Sequence, residues 1–304
     1  MKLSEIKEQL LCYTDEDRVM EYEPMDLHTS FRCGGAADLY VAPGSLGELM
    51  NVLDLVRSKE IPHMVLGNGS NVLFTDGGYH GVVIRVGEGL DRVRIEGQTI
   101  FAEPGVSLSK LSKMAAAEGL TGLEFACGIP GSLGGAVFMN AGAYDHEMKE
   151  VLLSVASINR LGMMKDRKAE DCGLGYRRSI YMDNGEVILG VKLFLKPGLR
   201  SEIEERMRDY TQRRNSKQPV HLPSAGSFFK RPEGHFAGKL IEDAGLKGLQ
   251  VGGAQVSPMH AGFVVNNGGA TASDVIDLMH IVQETVADKF GVFLEPEVRI
   301  VGEP

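Results

Sequence analysis

The segment Gly128-Ile129-Pro130-Gly131-Ser132-Leu133-Gly134-Gly135, running on to Asn140-Ala141-Gly142-Ala143-Tyr144, constrains this chain more than any other stretch. Glycine lacks a Cβ and reaches positive φ at little steric cost, so successive N–H groups can converge on one point. A concavity of that kind suits a phosphate or pyrophosphate. A tight turn between strands is the other reading, although two glycines would suffice for it. A second glycine loop, Gly67-Asn68-Gly69-Ser70-Asn71, follows Met64-Val65-Leu66, which reads as a short buried strand.

Neither loop has a standard nucleotide signature. Val72 stands where the dinucleotide fingerprint requires its last glycine, and no Gly-Lys-Ser/Thr follows either segment. Two glycine loops on separate β units point instead to a dinucleotide laid across two subdomains. Backbone amides and the hydroxyls of Ser70 and Ser132 would hold its pyrophosphate.

The rest of the chain narrows the class. Its 304 residues allow two or three domains with a substantial core, and 43% hydrophobic against 24% charged residues excludes disorder. A net charge of -9 argues against a nucleic-acid partner, which requires a basic face. Cys12, Cys33, Cys127 and Cys172 lie far apart with no C-x-x-C pair, so reduced thiols and a cytoplasmic protein are expected. No histidine pair has ligand spacing and no apolar run has transmembrane length, so neither a metal nor a membrane is expected.

Periodicity supplies the elements. Ser45 with Glu48 reads as a capping box for a helix up to about Lys59. Val82-Val83-Ile84, Val93-Arg94-Ile95 and Thr99-Ile100-Phe101 read as strands, and Leu108, Leu111 and Ala115 as a helix stopped near Gly119. Strands are expected within 151–160 and 187–195, with a boundary at Pro197-Gly198. Ser201 with Glu204 reads as a second capping box, Ser273 as the cap of a longer helix stopped by Gly291, and Val298-Arg299-Ile300-Val301 as a closing strand.

Six motifs in order now carry a resemblance. His28-Thr29-Ser30-Phe31-Arg32-x-Gly34-Gly35, the two glycine loops, Tyr176-Arg177, Gly226-Ser227-Phe228-Phe229-Lys230 and Glu295-Pro296-Glu297-Val298-Arg299 together resemble the UDP-N-acetylenolpyruvoylglucosamine reductase family across essentially the whole chain. The resemblance implies an α+β protein: a two-part vanillyl-alcohol-oxidase-type FAD-binding domain plus a C-terminal α+β substrate-binding domain. On that scheme residues 1–80 and 81–197 form the two FAD subdomains and 198–304 the substrate domain, with the last strand able to return to the FAD domain. The short stretch from Arg177 to Lys217 is similar to the second subtype, which lacks an inserted loop carrying a substrate-capping tyrosine. Asp145-His146 follow Tyr144 where glycine is common in the family, and Arg231 stands where the other subtype has asparagine.

The implied reaction is NADPH-dependent, FAD-mediated reduction of an enolpyruvyl ether on a nucleotide sugar in peptidoglycan precursor synthesis. By resemblance Ser227 is the proton donor, Arg177 stabilises developing negative charge and Glu297 orients or protonates the enol oxygen. On residues alone the favoured readings are that Ser227 bonds its own loop and that Glu297 sits on a solvent-facing strand edge with Glu295 and Arg299; the resemblance reverses them. Lys217 and Arg299 are expected to bind the substrate diphosphate or carboxylate. Gly67, Asn68, Gly69, Ser70, Asn71, Gly128, Ile129, Pro130, Gly131, Ser132, Gly134, Gly135, Asn140, Ala141 and Gly142 are expected to bind FAD. The Gly67–Asn71 loop holds no histidine, so the flavin is expected to be non-covalent, and Cys127 to be a structural neighbour. A monomer or weak homodimer is expected, with small molecules as its partners.

Overall fold

Helices form where an apolar stripe meets a side-chain cap. Ser45 accepts the N–H of Glu48 at 3.2 Å and opens Leu46–Ser58, while the Glu48 carboxylate reaches the N–H of Gly44 at 2.9 Å, one residue earlier than a strict capping box. The helix Ala272–Phe290 is capped by Thr271, whose hydroxyl accepts from Asp274, and ends at Gly291 with φ of 68°. The cap expected at Ser273 therefore lies two residues upstream, and Ser273 instead donates through N–H and hydroxyl to the Asp76 carboxylate. Arg200–Lys217 begins before Ser201, so Ser201 lies inside the first turn and does not cap it.

The computed structural model describes residues 2–303, which divide into two units. One holds the chain through Met20, Leu39–Asn68 and Val82–Arg213; the other holds Glu21–Asp38, Gly69–Gly81 and the chain from Arg214.

In the first unit His63–Leu66 pairs in parallel with the Val82–Arg85 stretch of its neighbour, and Leu46–Ser58 buries Leu49, Val52, Leu53 and Val56 in a core with Leu39, Val41, Val82 and Ile84. A five-stranded antiparallel sheet follows, ordered Met164–Lys168, Leu152–Ile158, Val187–Phe194, Thr99–Ala102, Val93–Glu96. Its second core gathers Ile100, Leu108, Leu111, Leu133, Val137, Val155, Val191 and Leu193. Among the elements absent from the periodicity reading, Leu133–Met139 is a helix capped by Ser132. Two of its residues are glycines, which disfavour helix interiors. Gly134 is tolerated because its N–H donates to Pro104 O at 2.8 Å and a Cβ there would lie 2.8 Å from the proline ring.

The second unit is built on a four-stranded antiparallel sheet, ordered Ser224–Ser227, Phe263–Asn266, Ala254–Val256, Gln250–Val251. The long helix packs Val275, Leu278, Met279, Val282 and Val286 into its core. Early segments complete that core: Phe31, Cys33 and Leu73 lie in it, and Val72–Phe74 pairs in parallel with Arg299–Val301. Among the described residues no helix is long and apolar enough to cross a membrane.

Candidate active site

The two glycine loops meet within the first unit. A Cβ on Gly67 would strike Ser132 Oγ, so this glycine exists to let the loops touch. Ser132 is buried and accepts from Gly135 N at 3.4 Å, while Leu133 N donates to Val106 O at 2.8 Å and Leu108 N to Gly131 O at 3.0 Å. Among the described residues no backbone carbonyl accepts from the N–H of Gly67, Asn68 or Ser132. Free amides beside glycines with no room for a side chain are the donor set a pyrophosphate requires, so these residues fit FAD. Asn68 is fixed in turn by Arg85, which donates to its Oδ1 at 3.1 Å.

Farther along the segment the amide of Asn140 is already committed. The residue is fully buried in the left-handed region (φ 42°), its Nδ2 donates to Glu147 and to Gly175 O, and its Oδ1 accepts from Lys149 N at 2.9 Å. Its side chain organises the loop, and the neighbouring backbone is committed too: Ala141 N donates to Ala136 O at 2.8 Å, Ala141 O accepts from Met148 N at 2.9 Å, and Gly142 O accepts from Arg177. Gly142-Ala143 pairs with His146-Glu147, and Tyr144 and Asp145 between them both have positive φ (54° and 63°). That is the type I′ hairpin geometry, which favours glycine. Tyr144 compensates by stacking on Tyr210, with centroids 4.2 Å apart, and donating to Tyr210 O at 2.7 Å. Cys127 contacts Met207 O and Thr211 Oγ1 at 3.7 Å each on the same helix.

Arg177 also lies in the first unit, at the tip of a tight turn closed by hydrogen bonds between Gly175 and Arg178. Its φ is 52°, a conformation that costs a non-glycine residue energy, and its guanidinium is held 5.1 Å from the Tyr176 ring and 3.3 Å from Gly142 O. Arg178 is solvated and 3.7 Å from Asp183.

The second unit carries the other two candidate catalytic groups. The pairing of Ser224–Ser227 with Phe263–Asn266 slips between Ser224 and Ser227, and Gly226 in the slip has φ of 79°. Such a bulge re-aims the next side chain. Ser227 is exposed, and among the described residues no group hydrogen-bonds its hydroxyl, so it does not bond its own loop. Glu297 N donates to Phe228 O at 2.8 Å and Phe229 forms an isolated bridge with Pro296, which brings the segment bearing Glu297 alongside Ser227. Glu297 is half-buried while Glu295 and Arg299 are exposed, so it is unlike its neighbours on that edge. Lys217 is exposed at the end of its helix, and Arg299 N donates to Asn71 O at 3.1 Å.

Gly69 and Ser70 belong to this unit as well. A Cβ on Gly69 would strike His28 O, and Ser30 N donates to Gly69 O at 3.1 Å. Beside it Thr29 Oγ1 is buried without a partner. Thr29 is a group that residue-type reasoning passed over; its only signal was its place in the His28–Gly35 motif.

Unpaired amides between two glycine loops suit a dinucleotide, and residues 37–166 match the FAD binding domain family while 218–301 match the C-terminal domain of UDP-N-acetylenolpyruvoylglucosamine reductase. The protein is a FAD-binding oxidoreductase of α+β fold. A curated relative from Alkaliphilus oremlandii of the same name is 51% identical over 288 residues, 95% of each chain, and one from Clostridium perfringens is 50% identical over 290 residues, again 95% of each. The crystal structure of the Thermus caldophilus enzyme superposes with a TM-score of 0.80 at 36% identity, covering 91% of this chain and 97% of that one. The chain belongs to the UDP-N-acetylenolpyruvoylglucosamine reductase family.

Proposed function

We propose that the protein reduces the enolpyruvyl ether of UDP-N-acetylglucosamine enolpyruvate to UDP-N-acetylmuramate, with NADPH as reductant and a dissociable FAD, in peptidoglycan precursor synthesis. The observation that carries this reading is the unpartnered Ser227 hydroxyl, presented by a bulge beside the segment bearing Glu297. FAD held by the glycine loops at 67–70 and 128–135 would supply two-electron hydride chemistry between NADPH and the methylene carbon of the enolpyruvyl group.

The chain's residues manage charge and the proton. Hydride addition leaves negative charge spread over the adjacent carbon and the carboxylate. Arg177, always cationic, grips that carboxylate bidentately and lowers the energy of the charge as it develops. Ser227 transfers its proton to the carbon; serine is a weak acid, but the carbanion is basic enough to take the proton if the hydroxyl is fixed in place. Its exposure lets solvent reprotonate the alkoxide. Glu297 orients or protonates the enol oxygen, and Lys217 and Arg299 bind anionic groups of the substrate. Of the cradle residues, Gly67, Asn68, Gly69, Ser70, Gly128, Gly131, Ser132, Gly134 and Gly135 hold the cofactor through their backbone. The four free thiols agree with a cytoplasmic enzyme, working as a monomer or weak homodimer.

The test is an anaerobic visible spectrum. Yellow protein should be bleached by NADPH and restored by the enolpyruvyl sugar nucleotide. Ser227→Ala should bleach normally yet lose restoration by roughly 10²- to 10⁴-fold, the range for removal of a general acid. Bleaching by a simple alcohol and restoration by oxygen would instead show a flavin oxidase, and restoration at the wild-type rate in Ser227→Ala would remove Ser227 from the reaction.

A further inference from the structure

Glu297 is held through its own peptide groups from two directions. Its N–H donates to the carbonyl of Phe228, the residue after Ser227, at 2.8 Å. Its carbonyl accepts from the side-chain Nδ2 of Asn71 at 3.0 Å, and Asn71 O in turn accepts from Arg299 N at 3.1 Å. These last bonds lie at the head of a parallel ladder in which Val72 pairs with Arg299, Leu73 with Ile300 and Phe74 with Val301. The ladder's regular pairing ends at Val72; the Asn71 amide extends it by one further rung and catches the chain at Glu297. The Asn71–Glu297 contact joins positions 226 residues apart.

We propose that Asn71 is a positioning residue for the reduction: it fixes the Glu297 peptide so that the carboxyl group is presented next to Ser227. This rests on the reading that Ser227 and Glu297 act on the substrate, and it gives Asn71 a task apart from its neighbours in the glycine loop. Gly67 and Asn68 offer backbone N–H groups, whereas Asn71 spends its side chain on the segment that bears Glu297. The residue type is what the task requires. An NH2 donor on a short stem must reach a carbonyl one rung away while its own carbonyl stays in the ladder; a carboxylate of the same shape would face the Glu297 carbonyl with a second acceptor. Val298, buried between the two contacts, keeps the segment from sliding.

The experiment separates the two half-reactions. Asn71→Asp keeps the shape and removes the donor, and Asn71→Ala removes both. In the holoenzyme both should retain flavin absorbance and bleach with NADPH within about twofold of wild type. Reoxidation by the enolpyruvyl sugar nucleotide should fall about 10²-fold in kcat with little change in KM, the penalty for a reacting group displaced by about an ångström. Should Asn71→Ala fail to fold, Asn71→Asp carries the test alone. Loss of bound flavin from Asn71→Asp would make Asn71 a cofactor ligand and overturn the proposal, as would equal slowing of both half-reactions or unimpaired reoxidation. Glu297→Gln is measured in parallel: reoxidation at the wild-type rate there would sink the role of Glu297 itself, an outcome distinct from failure of the Asn71 assignment.

Discussion

Arg177 shows what a single residue can store. An L-residue at φ of 52° is disfavoured by about 1–2 kcal/mol, and the ring of Tyr176 with the Gly142 carbonyl hold it there. Arg177→Gly should therefore stabilise the fold, by about 1 kcal/mol after the lost contacts and the flexibility of glycine are counted, while abolishing substrate turnover. Arg177→Lys should keep the charge, lose the bidentate grip and reduce kcat. Denaturant midpoints alongside turnover decide: a less stable Arg177→Gly would mean the turn is not strained. Cys33 is the converse case, a reactive residue type made inert. Burial first, then the carboxylates of Asp76, Asp26 and Asp274, push its thiol up to about 12, so it serves as core. The sequence could name Arg177 and Ser227 through their motifs. It could not show the left-handed turn or the free hydroxyl, because both depend on what the neighbouring backbone does with its hydrogen bonds.

At the scale of elements, the helix Arg200–Lys217 is tied to the turn that precedes the long glycine segment. Arg206 donates to Glu124 Oε1 at 2.7 Å and to Thr121 Oγ1 at 3.1 Å, and Glu124 also accepts from Gly122 N at 2.6 Å and Thr121 at 2.7 Å. Burial pushes the Glu124 carboxyl up, but the bonds from Thr121, Arg206 and Gly122 outweigh it and leave it below the usual carboxylate range. A carboxyl lowered on folding contributes stability above its unfolded value of about 4.3, and that contribution is lost as pH falls through the folded value. Glu124→Gln should cost about 1–3 kcal/mol at pH 7, and the gap to wild type should close on acidification below about pH 4. A gap that stays constant from pH 7 to pH 3 in urea titrations would dismiss the carboxylate as its source. Here the sequence was partly legible. The stripes placed Leu46–Ser58, Leu108–Ala117 and Ala272–Phe290, whereas Leu133–Met139 escaped because its glycines answer to Pro104 and Ser132, contacts that no local pattern encodes.

At the scale of the molecule, the units do not follow chain order. The unit that ends the chain takes Phe31, Cys33 and Leu73 into its core, Asn266 Nδ2 donates to Phe31 O at 3.2 Å and Arg32 O at 3.0 Å, and Ser30 Oγ donates to Ser224 O at 2.6 Å. Contacts thus group 21–38 and 69–81 with that unit and 198–213 with the other. A fragment of residues 198–304 lacks the pieces that complete its core and should be unfolded by circular dichroism and amide dispersion; a cooperatively folded fragment would show that the early segments are dispensable. By contrast, adding 21–38 and 69–81 on one linked chain should restore a cooperative transition.

The proposed chemistry was written in local motifs: glycines that admit a dinucleotide, a serine in a Gly-Ser-Phe-Phe turn, an arginine after tyrosine, a glutamate in a Glu-Pro-Glu segment. Those identities are legible because a cradle without Cβ atoms, a small hydroxyl and a fixed cation are each a property of residue type and near neighbours. Assembly was decided in three dimensions. That Gly67 touches Ser132, that Asn71 grips the segment of Glu297 and that Phe31 completes a core made mainly of residues beyond 224 follow from hydrogen bonds and packing between segments far apart in the chain, for which no spacing in the sequence provides a register.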